Sequence, residues 1–423
     1  MKLRLQYLID SLVGRPLVAA LNLIAFPLGK ILRRDHNLET AKVIVVCKLV
    51  GLGSIVQITP LITALRGGFP DARVVFLTRR QNRDYCDLIE EIDETLIIDD
   101  GSLFRLMGTI TRTLMRMWAT RIDLFVNLEV YANLSALLAI TSCARNRLGY
   151  YMVPRDMRAW GIYTHIVYFN RNAPIHEVYL QAARCLGVDV LGSKLLRPRI
   201  ATVSDLSLRD RLAARGVGDT PYLLINPNSS ELSAERRWPT RYFAEAIIKL
   251  HACQPDLQFL VIGGRGEETV GAEVIGQVAG QSGIRITDLT GHLSLGELAE
   301  LLRDARAFLT NDSGPMHLAF SLSVPTVALF GPVSPQHYGG ADEPSRILLY
   351  RHLYCSPCVH HFLNAPCGGD NQCMKLISPD EAVAAVNSLL SGNSIDDPEQ
   401  ALCYTDRDIA FGTHSRKHAP DPP

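Results

Sequence analysis

Neither sign of charge is in excess in this chain: Lys and Arg total 43, Asp and Glu total 43, and the formal net charge is zero over 423 residues. A balanced surface has no global field to draw in a polyanion, so nucleic acid is excluded as an expected partner and any anion site must be local. Long uninterrupted apolar runs are scarce too. The stretch Pro16 to Phe26 is apolar but is broken by Asn22 and stopped by Pro27, short of the roughly 20 residues a spanning helix needs. With Lys30, Arg33 and Arg34 following, residues 1–40 are expected to hold an amphipathic helix packed on the body. The other reading is an interfacial anchor in peripheral contact with the inner face of the cytoplasmic membrane. No small-residue exit site of a cleavable leader is visible, and ten cysteines in this length are too sparse for a disulfide-stapled secreted fold. A reducing cytoplasm is therefore the expected compartment.

What is present is a repeated unit of apolar strand, glycine turn and helix. Val43 to Cys47 is a continuous apolar run, as in a strand buried on both faces; it ends at Gly51-Leu52-Gly53, and a helix is expected over residues 55–66. Further strands read at 73–77, 95–98 and 124–127. The pattern restarts with Tyr222 to Asn226, then 259–264, 307–310 and 326–330. The expected fold is α/β, with two doubly wound Rossmann-like domains facing across a cleft: residues 41–205, then 206–390 after a hinge near 204–220 rich in glycine. Residues 391–423 lose apolar periodicity and are expected to be disordered. A nicotinamide-dinucleotide fingerprint is missing its third glycine, since position 56 is Val.

The segment richest in chemistry is Thr310-Asn311-Asp312-Ser313-Gly314-Pro315-Met316-His317, where a buried strand ends in a polar cluster that opens a helix. Asp312 or Ser313 can cap that helix, Gly314 permits close backbone approach, and Pro315 suits the first turn. Unpaired N–H groups and the helix dipole would then receive a diphosphate. The bland alternative is a good N-cap and nothing more. The neighbouring run Val324 to Pro332, an apolar strand with its own glycine-proline loop, favours the site.

These residues, followed by Phe330-Gly331-Pro332 and Ser334-Pro335, resemble glycosyltransferase family 9, the heptosyltransferases, over about residues 41–390. Supporting matches are Gly53 with Pro60, Phe69-Pro70-Asp71-Ala72, Arg236-Arg237-Trp238-Pro239 and Leu289-Thr290-Gly291. The resemblance implies a two-domain GT-B fold and a metal-independent, inverting transfer of a sugar, heptose from an ADP donor in the first instance. The acceptor it implies is a lipopolysaccharide core or a related lipid-linked glycan. It further implies that Asp312, Ser313, Gly314, Pro315 and His317 surround the donor diphosphate and sugar, and that Arg236, where the family usually has lysine, neutralises the departing diphosphate. Ser229 and Ser230 are expected to donate hydroxyls to the same phosphates. Glu268 is expected either to accept from a nucleoside hydroxyl or to be a solvated helix-start carboxylate.

The first domain departs from the family pattern. Where heptosyltransferases carry an aspartate thought to act as general base, this chain has Ser54, whose hydroxyl cannot take the acceptor proton unaided. Glu129, after the strand at 124–127, is the replacement expected from sequence; the alternative is a carboxylate with no chemical role. Lys48, Gly53 and Gln57 are the expected acceptor-side residues. If no base replaces the aspartate, the chain would be a nucleotide-sugar-binding protein without turnover. Cys355, Cys358, Cys367 and Cys373 have the ligand type for a structural metal, but not the spacing of a paired ribbon. Reduced packing thiols are the default, and no cofactor is expected to be required.

Overall fold

The computed structural model describes residues 10–32, 36–130, 132–152, 161–199, 206–218, 220–229, 234–340, 343–359 and 365–392. Strand β1 (Val43–Cys47) is apolar throughout because both its faces are covered. Ile44 and Val46 pack with Ile55, Ile58, Leu61 and Ile62 on one side, while Val45 and Cys47 pack with Met117 and Ala136 on the other. Around β1 lie β2 (Arg73–Arg79), β3 (Glu94–Ile98), β4 (Leu124–Asn127), β5 (Asn146–Tyr151) and β6 (His165–Tyr168), in the order β3-β2-β1-β4-β5-β6.

The second lobe repeats this winding. Its strands are β7 (Tyr222–Asn226), β8 (Gln258–Val261), β9 (Ile286–Asp288), β10 (Ala307–Asn311), β11 (Thr326–Phe330) and β12 (Arg346–Tyr350), in the order β12-β11-β10-β7-β8-β9. All pairings in both sheets are parallel. In each sheet the first two βαβ halves diverge from a central strand, so the crevice for ligands lies beyond the carboxyl ends of those strands. The two α/β lobes expected from sequence are therefore present. Phe259 and Phe308 are sealed in the second lobe, where full burial of a side chain of this kind stabilises by roughly 1.5–3 kcal/mol.

Five helices flank the site and the outer face of the first sheet: α1 (Arg15–Leu32), α2 (Leu52–Gly68), α3 (Leu103–Thr120), α4 (Asn133–Thr141) and α5 (Gly314–Ser321). Helix α2 lies on the β1 face that turns towards the second lobe, where it packs against α5. Helices α1, α3 and α4 share the opposite face. Ser230 and residues 393–423 lie outside the described residues.

Candidate active site

Adjacent strands β7 and β10 both end in asparagine, and those two side chains organise the site. Asn311 Nδ2 donates to the carbonyls of Pro227 and Asn228 at 2.9 and 3.3 Å, and its Oδ1 accepts from the Trp238 N–H at 3.0 Å. Trp238 is itself buried, its indole donating to Ile377 O at 2.9 Å. Arg236, two residues earlier, is thereby brought to the strand ends. Asn226 Nδ2 donates to Thr310 Oγ1 and Ser313 Oγ at 3.2 and 3.0 Å. Ser313, not Asp312, is the cap of α5: its Oγ accepts from the Met316 N–H.

The cap leaves Asp312 for another use. Its Oδ2 lies 3.2 Å from Arg236 Nη1, and its Oδ1 lies 3.9 Å from His317 Nε2. Burial raises the Asp312 carboxyl above the usual range, with Arg236 pulling the other way. Burial, reinforced by the charges of Arg236 and Arg346, holds His317 down at about 3, so its imidazole is neutral. The other ring nitrogen, Nδ1, sits 3.0 Å from Gln57 Nε2 in α2, which links the two lobes. Arg346 had no signal in the motif. It reaches this region from β12, donating to Phe320 O at 3.1 Å.

The helix start offers fewer amides than its sequence implies. Pro315 has no N–H, Met316 N–H is taken by Ser313, and Asp312 N–H donates to Leu329 O at 3.1 Å. The N–H groups of Ser313 and Gly314 make no hydrogen bond among the described residues. Gly314 faces the first lobe, since a Cβ there would lie 3.2 Å from the Leu52 side chain. Buried polar atoms without a hydrogen-bond partner also gather at these strand ends: Gln57 Oε1, Asn228 Oδ1, Arg236 Nε, Thr290 Oγ1 and Asp312 Oδ2. Native proteins rarely leave such atoms unpaired unless a ligand or ion completes them.

The family model for glycosyltransferase family 9 (heptosyltransferase) matches residues 134–366. The chain belongs to glycosyltransferase family 9. It is 28% identical over 171 residues to lipooligosaccharide heptosyltransferase 2 of Campylobacter jejuni, covering 40% of this chain and 51% of that protein. The chain thus spans about half the length of the curated relatives it matches first. Its fold is that of a family 9 glycosyltransferase structure from Veillonella parvula, with TM-score 0.69, 23% identity, and coverage of 85% of this chain and all of that one. It is also that of E. coli ADP-heptose lps heptosyltransferase II, with TM-score 0.66, 20% identity, and coverage of 83% and 99%.

Against the family pattern, the second lobe assembles Arg236, Asp312, Ser313, Gly314 and His317 in one place, with half-buried Pro315 in the turn. Ser229 is buried at the end of the β7 loop. Glu268 is exposed and accepts from the Gly266 N–H at 3.0 Å, a hydrogen bond that lowers its carboxyl.

In the first lobe the expected residues are bonded within the protein or packed against the second lobe. Glu129 Oε1 accepts from the N–H groups of Leu49 and Val50 at 2.7 and 2.8 Å, and Oε2 accepts from Lys48 Nζ at 3.1 Å. Both carboxylate oxygens thus hold the β1–α2 loop. Burial disfavours the Lys48 charge, but the Glu129 carboxylate outweighs it and raises the ammonium above its ordinary value. Gln57 is fully buried on His317 and Lys48 nearly so on Glu129. Gly53 is an interlobe contact: a Cβ there would lie 2.2 Å from His317 Cδ2. Ser54 is half-buried at the start of α2.

The four cysteines line one small cavity together with Glu235 and Asn371. Burial, with the neighbouring Cys358, Cys355 and Cys367, pushes Cys373 up to about 12. No group of three or more His, Cys, Asp or Glu among the described residues is arranged to hold a metal ion.

Proposed function

We propose that the chain transfers a sugar from a nucleotide-diphosphate donor, ADP-heptose first among the candidates, to a lipopolysaccharide core or related lipid-linked glycan. Transfer proceeds with inversion and without a divalent metal, in the cytoplasm. The observation that carries this reading is the gathering of unpartnered polar atoms on Asn228, Arg236 and Thr290, beside the Arg236–Asp312 pair, at the carboxyl ends of the second sheet. In this reading Arg236 meets the diphosphate, and its charge stabilises the leaving group as the glycosidic bond to phosphate breaks. The amides of Ser313 and Gly314 add donors where the dipole of α5 is positive. In this reading Ser229 donates its hydroxyl to the phosphates and Glu268 accepts from a nucleoside hydroxyl.

Thermal unfolding with a panel of ADP-, GDP- and UDP-linked sugars tests the proposal. A true donor at 100 times its dissociation constant stabilises by about 2.7 kcal/mol. Release of the nucleoside diphosphate on adding a lipopolysaccharide-core acceptor then establishes transfer. If no nucleotide sugar stabilises the chain, the proposal fails. If one stabilises it and no acceptor elicits release, the chain binds without turnover, as the serine at position 54 would allow.

A further inference from the structure

Sheet one carries three helices on the face opposite α2, and two of them leave large apolar side chains in solvent. Leu23 and Ile31 of α1 are 79% and 77% exposed, and Phe104 of α3 is 89% exposed. Ile24, Met107 and Trp118 extend the two stripes, and all are more than half exposed. Helix α4 lies between them, its Leu134, Leu137 and Ile140 half-buried against the same core. Trp118 Nε1 donates to Thr141 O at 2.7 Å, joining α3 to the end of α4. Helix α4 therefore bridges the two stripes on one side of the lobe. Large apolar side chains gathered in solvent on one side of a protein mark an interaction site.

Charge decides what the partner is. Residues 103–121 hold Arg105, Arg112, Arg116 and Arg121 and no Asp or Glu, with Arg116 paired to Glu94 at 3.2 Å; residues 11–32 hold Arg15 and Lys30 and no Asp or Glu. In a chain of zero net charge this is a concentrated basic surplus, interleaved with aromatic and aliphatic side chains. Such a surface matches an anionic headgroup layer with acyl chains beneath it.

We propose that this face docks on an anionic phospholipid bilayer, with α1 and α3 both lying in the plane of the headgroups. Segment Leu12–Ile31 is apolar enough to cross a bilayer, with a mean hydropathy of 1.6. Its attachment to the lobe opposes that arrangement. The Asp10 carboxylate accepts from the N–H groups of Asn133 and Leu134 at 2.9 and 2.8 Å, capping α4 from the start of the N-terminal segment. Val18 and Asn22 are buried, and a Cβ on Gly161 would lie 3.0 Å from Phe26 N. Helix α1 is thus held against the lobe at Val18, Asn22 and Phe26. The face lies away from the interlobe site, so its binding is readable whether or not the chain turns over a nucleotide sugar.

Sedimentation of the full chain with extruded vesicles tests this. Vesicles containing phosphatidylglycerol should pellet the protein at least about tenfold more strongly than pure phosphatidylcholine, and rising salt should erode the preference. Phe104→Glu on α3 and Leu23→Glu on α1 should each weaken binding by about tenfold or more with unchanged melting temperature. Binding lost with Leu23→Glu but untouched by Phe104→Glu would overturn the two-helix face. Resistance to alkaline carbonate extraction would overturn in-plane docking in favour of a span. A dimer without vesicles that Phe104→Glu dissociates would assign the face to a second copy of the chain.

Discussion

Lys48 and Glu129 form an ion pair almost wholly out of water, with side chains 10% and 5% exposed. Removing one partner of such a pair strands the other charge, which typically costs about 3–5 kcal/mol. Glu129→Gln keeps an oxygen for the Leu49 and Val50 amides but loses the charge and sets an amide NH2 donor against the Lys48 ammonium. It should destabilise the protein by about that amount, and adding Lys48→Met should restore much of the loss, as read by urea unfolding of the single and double variants. An undiminished effect in the double variant would show that pairing with Lys48 is not what Glu129 contributes. Glu129 stood out in the sequence as a strand-end carboxylate. Its actual partners did not, because they lie about 80 positions away and are mostly backbone amides, which carry no residue signature. Arg236 and Asp312 were more legible, since each lies inside a short ordered motif.

At the scale of elements, β1, β4, β7 and β11 are found where apolar runs placed them, because a strand covered on both faces has little room for polar residues. Strands β5, β6, β9 and β12 were not foreseen. The first two, Asn146–Tyr151 and His165–Tyr168, mix polar and aromatic residues at the rim of their sheet, and Ile286–Asp288 has only three residues. Such strands are set by the neighbour they pair with more than by their own pattern. The helix contact between lobes was equally silent in sequence. Glycine at position 53 is needed because α2 runs against the His317 ring. Gly53→Ala should cost about 1–3 kcal/mol by forcing that contact apart, while Gly67→Ala in the same helix, with nothing within 4 Å, should be neutral or stabilising. Equal denaturation midpoints for the two would remove the steric argument.

For the molecule as a whole, the contact through His317 makes stability depend on acid. Its imidazole titrates at about 3 in the folded state against 6.5 for a free side chain, so between these values the unfolded chain binds a proton that the folded chain refuses. Stability therefore falls as pH drops through that window, by at most ~1.4 kcal/mol per pH unit from this group. His317→Gln should flatten the decline between about pH 6.5 and 4.5 in urea midpoints, and an unchanged slope would show that other groups govern it. The two-lobed architecture itself was legible because its βα units recur with turn residues between them. The closeness of the lobes was not, since no periodicity records which helices meet.

Pro315 has a consequence for selectivity. With the proline withholding one amide and Ser313 Oγ occupying that of Met316, only the amides of Ser313 and Gly314 are left at the mouth of α5. In the proposed site, recognition would then be an exchange of counter-ions: an arriving diphosphate would have to take the Arg236 guanidinium from Asp312, and a singly charged mimic would gain too little to do so.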